Sequence, residues 1–289
     1  MAARFRIGTK GARSWFRSLV AELIGVQGDV QIWWTPELPI IYVSNAKSGC
    51  STIKNSLRNA QAHAFRQAGS TFNNKLNPHV GDDCLRNSGL SIRPHPARFL
   101  ISSVRNPFSR ALSAYLDMVD GRDVRQYPEL KRWNVATFED LLREVVVRRP
   151  RTLNVHFRPQ YINLDIPNVH YDAILFLENL AALPVLLKEV MGNFQLTTFA
   201  PHARGATSKL GLHYTPHAIE LVRQIYAKDF DYFGYSRDVL NAESAPGAYI
   251  DPNGIVRFGN ERALDSSAGG AAALAPILRF QRLIDWKLI

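Results

Sequence analysis

Short apolar runs alternate along this chain with longer segments whose apolar residues recur at helical spacing. The run PIIYVSN (39–45) is continuous and rich in β-branched and aromatic residues, and it reads as a buried strand. Residues from about 51 to 68 read as the helix that follows it. RFLISSV (98–104) is a second strand of the same kind. PFSRALSAYLDMV (107–119) is a second helix, in which Phe108, Leu112, Tyr115 and Val119 fall at i, i+4, i+7 and i+11 on one face. Asn106 suits the N-cap of that helix and Pro107 its first position. YDAILFLEN (171–179) predicts a third strand and LAALPVLLKEVM (180–191) a helix behind it. TPHAIELVRQIYAKDF (215–230) opens on Thr-Pro, a helix start. Strands alternating with helices predict an α/β fold: a mostly parallel central sheet flanked by helices.

The pattern divides the chain into a basic N-terminal segment (1–38), one large domain (39–238) and a C-terminal extension (239–289). The N-terminus opens like a signal peptide, but Glu22 interrupts its apolar part and no small-residue cleavage site follows. It reads instead as a basic segment with one amphipathic helix. The extension contains a low-complexity linker, SSAGGAAALAP (266–276), and ends in the amphipathic stretch ILRFQRLIDWKLI. No uncharged stretch approaches the roughly 18–20 apolar residues that span a bilayer.

Composition narrows the function classes only a little. The formal net charge of the 289 residues is +10. That charge suits a polyanionic partner, a highly charged cofactor or an acidic membrane surface, and equally plain solubility. The two cysteines, Cys50 and Cys84, argue against a disulfide framework and for a reducing compartment. Aromatic residues are spread through strands and helices instead of forming a stacking platform, which argues against a nucleic-acid or other non-enzymatic polyanion binder.

The most informative stretch is NAKSGCSTIK (45–54), directly after the first strand. In an open parallel sheet, ligands bind at the carboxyl ends of the strands. A loop there that feeds a helix N-terminus presents backbone N–H groups and a positive dipole to an anion. Gly49 allows close backbone approach, Ser48, Ser51 and Thr52 add hydroxyl donors, and Lys47 adds a point charge. The usual nucleotide loop is G-x-x-x-x-G-K-[ST]. Here Lys47 precedes the only glycine, so a kinase-like triphosphate site with Mg²⁺ is poorly supported. A Ser/Thr-rich helix start with an incidental lysine is the plainer alternative.

A second anion motif follows the second strand. Arg105 stands at its end and Ser113 lies on the adjoining helix, an arrangement in which both can converge on one phosphate. Two anion motifs at two strand ends suit a ligand with anionic groups on its 3′ and 5′ sides. AKSGCST followed by VRNPFSRALSAY resembles the two cofactor motifs of sulfotransferases that use 3′-phosphoadenosine 5′-phosphosulfate, with the closer similarity to the carbohydrate sulfotransferases of the family 2 type. HFRPQ (156–160), YDAILFLENL (171–180) and YAKDFDYFGY (226–235) agree in order, so the resemblance covers roughly residues 40–235.

The resemblance implies a P-loop-like sulfotransferase fold in which Lys47, Ser48, Gly49, Cys50, Ser51 and Thr52 hold the 5′-phosphosulfate. Arg105 and Ser113 would hold the 3′-phosphate. Ala46 stands where the family usually has Pro, Asn106 where it often has Asp, and Ile53 where many cytosolic relatives place a Trp toward adenine, so the adenine contacts are unassigned. Lys47 would also act catalytically, neutralising charge on the bridging oxygen, and no metal is expected. A general base is needed as well, and the family places it between the two motifs. His79 in the loop LNPHVGDD is chosen, with Asp82 or Asp83 next; His63 lies down the first helix and His95 at the far end of a strand.

The acceptor implied is a carbohydrate or glycolipid hydroxyl, an anionic one being compatible with the charge, and no nucleic acid. A bacterial cytoplasmic enzyme is expected, with peripheral contact at the inner face of the membrane and a homodimer both left open. His156 and Arg158 of HFRPQ suit either an anionic acceptor or a structural turn. Glu178 reads as a capping group or a surface carboxylate, and PHARGATSK (201–209) as a cover for the 3′-phosphate or a solvated loop. His213 and His217 have a metal-capable spacing, but Pro216 at a helix start between them argues against metal.

Overall fold

The computed structural model describes residues 31–34, 38, 40–67, 86–88, 99–119, 127, 130, 132–166, 169, 171, 173–180, 206–246, 249–250 and 256–258. The described strands are β1 (Ile32–Trp34), β2 (Ile40–Val43), β3 (Arg86–Ser88), β4 (Phe99–Val104), β5 (Ala173–Phe176), β6 (Tyr249–Ile250) and β7 (Val256–Phe258). They form one sheet in the order β3-β1-β2-β4-β5-β7-β6. β2, β4, β5 and β7 run parallel in its middle, while β1, β3 and β6 pair antiparallel at its two sides. The α/β expectation therefore holds: a mostly parallel sheet with flanking helices.

The strand–helix pairs that matter for the site are the predicted ones. β2 leads into α1 (Cys50–Gln67) and β4 into α2 (Pro107–Met118). Asn106 caps α2, its side chain accepting from the Phe108 N–H at 3.0 Å, and Pro107 opens the helix. Further along lie α3 (Phe138–Val146), α4 (Gln160–Asn163), α5 (Leu210–His213), α6 (Pro216–Ile225) and α7 (Ala227–Phe233). α3 begins with a capping box between Thr137 and Asp140.

Strand alternation sorts the core into two layers. Leu100, Val104, Ile174 and Phe176 point to one face of the sheet, where Phe108, Leu112, Phe138 and Phe230 cover them. Tyr42, Ile101, Ala173 and Leu175 point to the other, against Ile53, Leu57 and Trp33. Hence α1 and α2, which follow neighbouring parallel strands, leave toward opposite faces of the sheet. That divergence opens a crevice at the carboxyl ends of β2 and β4, where an open α/β sheet binds its ligands.

The structure departs from the sequence reading in three places. The predicted helix over 215–230 is two helices, because Tyr226 leaves helical geometry at φ −108°, ψ 24°. The third strand stops at Phe176 and continues as a single 3₁₀ turn, Leu177–Asn179. The sheet also crosses both boundaries drawn for the central domain. β1 lies before residue 39, and β7, beyond residue 238, pairs with β5 through Ala173 and Val256. Strands of two or three residues are too short to carry a period, so only their partners reveal them. Residues 181–191 of the predicted helix 180–191 and both chain termini lie outside the described residues. Among the described residues no helix is long and apolar enough to cross a membrane.

Candidate functional site

The loop between β2 and α1 has a specific backbone. Lys47 and Gly49 adopt positive φ, at 66° and 82°. Gly49 has two reasons to be glycine: its φ, and a Cβ there would stand 2.7 Å from Leu177 Cδ1. The Gly49 carbonyl accepts from the Ile53 N–H at 3.0 Å, so the first intrahelical bond starts at Gly49. Cys50, Ser51 and Thr52 form the opening turn, with the helix dipole behind them. All three are half-buried, and Cys50 is a free thiol.

Ser48 differs from its expected role as a hydroxyl donor. Its side chain is fully buried and turned inward, with Oγ 2.7 Å from the Asn45 carbonyl and 3.0 Å from the Ser103 carbonyl. The hydroxyl ties the loop to β4, which leaves the Ser48 backbone as what it can present to an anion. The reason is the loop's tight return, which aims position 48 at the neighbouring strand end.

The second motif lies against the first. Arg105 Nε donates to Ser109 Oγ at 2.9 Å, and Arg105 Nη1 approaches the Lys47 carbonyl at 3.5 Å. Along α2, Ser109, Ser113 and Asp117 follow Arg105 at four-residue steps and so share one face. Lys47 reaches both ends of that stripe: its carbonyl meets Arg105, and its ammonium lies 3.1 Å from Asp117 Oδ2. Ser113, only 5% exposed, occupies the turn between. Lys47, Arg105 and Ser113 are therefore neighbours in one crevice. Burial pushes the Lys47 amine below its ordinary lysine range, and Asp117 pulls it partly back.

Buried struts hold the crevice. The Gln160 side chain accepts from the Asn45 side chain at 3.0 Å and from the Arg105 N–H at 2.9 Å, and donates to the Arg105 carbonyl at 2.8 Å. It locks the two strand-end loops together. Arg110, fully buried on α2, donates to the carbonyls of Ala46, Arg158 and Val155, each at 3.0 Å. The α7 carboxylate of Asp229 accepts from the Gln160 and Tyr161 N–H groups, and burial raises it to about 6. Glu178 caps the loop before α2, accepting from the Asn106 N–H at 2.8 Å and from the Tyr235 hydroxyl at 2.8 Å. Burial raises its carboxyl above the usual range. It is a capping group, not a surface carboxylate.

Sequence reasoning missed Asn45, Ser109, Arg110, Asp117, Gln160 and Asp229 as parts of this site. Gln160 and Asp229 do sit inside the motifs HFRPQ and YAKDF, so the motifs carried the signal without the role. Of the acceptor-side pair, Arg158 is turned into the core, donating to the Leu153 carbonyl at 2.7 and 3.0 Å, because HFRPQ packs as a turn. His156 is half-buried, its Nδ1 2.7 Å from Asn154 Oδ1. His217 Nδ1 lies 2.8 Å from Glu139 and the His213 ring packs edge-on against Tyr115. His79, Asp82, Asp83 and His95 lie outside the described residues, as do residues 201–205 of the basic loop; His63 is on α1.

A crevice at two parallel strand ends, with a lysine, an arginine, serine hydroxyls and a helix N-terminus, has the donor set of an anionic group-transfer site. Neither the curated proteins nor the solved structures contain a significant match to the chain. A model of the sulfotransferase family does match, over residues 30–236, a span that takes in the loop, the α2 stripe and the struts, and the chain belongs to that family, as a family 2 sulfotransferase.

Proposed function

We propose that this sulfotransferase moves a sulfuryl group from 3′-phosphoadenosine 5′-phosphosulfate to a hydroxyl of a carbohydrate or glycolipid. The observation that carries the reading is the meeting of Lys47 and Arg105: two cations from neighbouring strand ends share one crevice, and Ser113 lies on the same stripe. In this reading Arg105 and Ser113 bind the 3′-phosphate, and the loop from Lys47 to Thr52 binds the 5′-phosphosulfate through backbone N–H groups and the hydroxyls of Ser51 and Thr52. The donor supplies the sulfuryl group and a good leaving group. The acceptor oxygen attacks sulfur, the bond to the 5′-phosphate breaks, and adenosine 3′,5′-bisphosphate leaves. Lys47 stabilises charge on the departing oxygen, and positioning supplies much of the rate.

The acceptor proton passes to a base, which we assign to His79. His156 is the competing candidate, because Arg110 ties its neighbour Val155 to Ala46 beside the donor loop. The net charge of +10 suits an anionic acceptor and peripheral contact with an acidic membrane surface, and the two cysteines suit a reducing, cytoplasmic compartment.

The test is calorimetric titration with adenosine 3′,5′-bisphosphate, ADP with Mg²⁺, and the Arg105→Ala variant. The bisphosphate should bind in strong preference to ADP. Losing a charge-assisted bond of about 1.5–3 kcal/mol should weaken it roughly 10- to 100-fold in the variant. Equal or better binding of ADP with Mg²⁺ would replace this reading with a phosphotransferase one.

A further inference from the structure

Asp117 is a carboxylate inside an anion-binding crevice, and nothing in the proposed chemistry accounts for it. Its side chain is 1% exposed and that of Lys47 is 10% exposed. Its placement opposes ordinary helix design. It stands in the last turn of α2, where the helix dipole is negative and a cation is the favoured neighbour. A buried acid there needs a specific partner, and the Lys47 ammonium at 3.1 Å is one.

The stripe Arg105–Ser109–Ser113–Asp117 is graded, with a cation and a hydroxyl at its start, a second hydroxyl in its middle and an anion at its end. A polyanionic donor is attracted to the first part and repelled by the last. Lys47 spans the gradient: its carbonyl is held at the Arg105 end, while its side chain extends toward the Asp117 end. Its backbone carbonyl is engaged by Arg105, and the four-carbon stem is the flexible part of the residue.

We propose that Asp117 is a positioning residue that holds the Lys47 ammonium in a resting place within the crevice, from which the donor's 5′-phosphate draws it during binding. This rests on the reading that the donor binds in this crevice. The resting pair keeps a mostly buried ammonium partnered before the donor arrives, and it lowers donor affinity in return. Binding must separate the pair, and the carboxylate that stays behind repels the phosphate.

The test is binding of adenosine 3′,5′-bisphosphate by the full-length protein. Asp117→Asn keeps the shape and removes the charge, and it should bind the bisphosphate about tenfold tighter while melting at a lower temperature. Asp117→Glu keeps the charge and should stay within about twofold of the unmodified protein. A role in packing alone moves affinity down or not at all, so unchanged or weaker binding by folded Asp117→Asn overturns the proposal.

A second measurement needs no variant at Asp117. The Lys47 ε-methylene NMR signal, identified by its loss in Lys47→Arg, should shift when the unmodified protein is saturated with bisphosphate. A signal that stays put while heat of binding is observed overturns the resting pair alone. Absence of bisphosphate binding by the unmodified protein overturns the functional reading, and this proposal with it.

Discussion

Gly49 shows how a single residue sets the site. Its φ of 82° disfavours any side chain, and a methyl group there would stand only 2.7 Å from Leu177. Gly49→Ala should cost about 1–3 kcal/mol in chemical denaturation, from backbone strain and displacement of Leu177. It should also weaken bisphosphate binding, because the loop can no longer return onto α1. The base is a second question at this scale. Removing a general base slows turnover by about 10²–10⁴-fold and flattens the limb of the pH profile that the base controls. His79→Ala should do so and His156→Ala should not; the opposite result assigns the base to His156. The glycine and lysine of the loop were legible because few residues can do their jobs. The inward turn of the Ser48 hydroxyl was not, since a serine in a loop reads the same whichever way it points.

At the level of elements, the two strand–loop–helix units are joined by polar side chains buried between them. Arg110 donates to three carbonyls on two segments, Ala46 on the donor loop and Val155 and Arg158 on the turn before α4, and Arg110→Met should cost about 3–5 kcal/mol by removing those bonds. Asp229 gives a pH-dependent counterpart. Its carboxyl lies at about 3.9 when unfolded and at about 6 when folded, so between those values the native state holds more protons. Its contribution to stability is full below about pH 4 and declines by about 3 kcal/mol as pH rises through 6. Denaturation of the unmodified protein and of Asp229→Asn at pH 4 and pH 7 should show a larger decline in the former, the remainder in the variant including the raised Glu178 carboxyl. The helices themselves were legible from period and capping, Asn106 and Pro107 above all. The break at Tyr226 was not, because its cause is distant: the Tyr226 hydroxyl donates to the Phe157 carbonyl at 2.9 Å, and α7 carries Asp229 onto α4.

For the whole molecule, the parallel sheet continues past the apparent end of the domain. β7 pairs with β5, whose four residues are all buried. A chain ended at residue 238 would leave β5 as an open edge beside apolar surface, a template for aggregation. It should precipitate or melt without a cooperative transition, whereas the full chain should melt cooperatively. Peripheral membrane attachment belongs to this scale too. Liposomes with anionic lipid should sediment more of the full chain than of a version lacking residues 1–30 and 259–289, and equal partitioning would remove the membrane from the proposal.

The sequence alone determined the α/β alternation, the two anion motifs and the family, because short-range period, helix caps and rare residue types at fixed spacing are local properties. Tertiary structure decided which faces α1 and α2 occupy, and therefore that a crevice opens between them. It also decided that Gln160 locks Asn45 to Arg105 and that Lys47 rests on Asp117. Those contacts join residues 55 to 115 positions apart, or 70 in the case of the ion pair (from 47 to 117). Such pairings depend on register, strand order and burial, which no stretch of the chain encodes by itself.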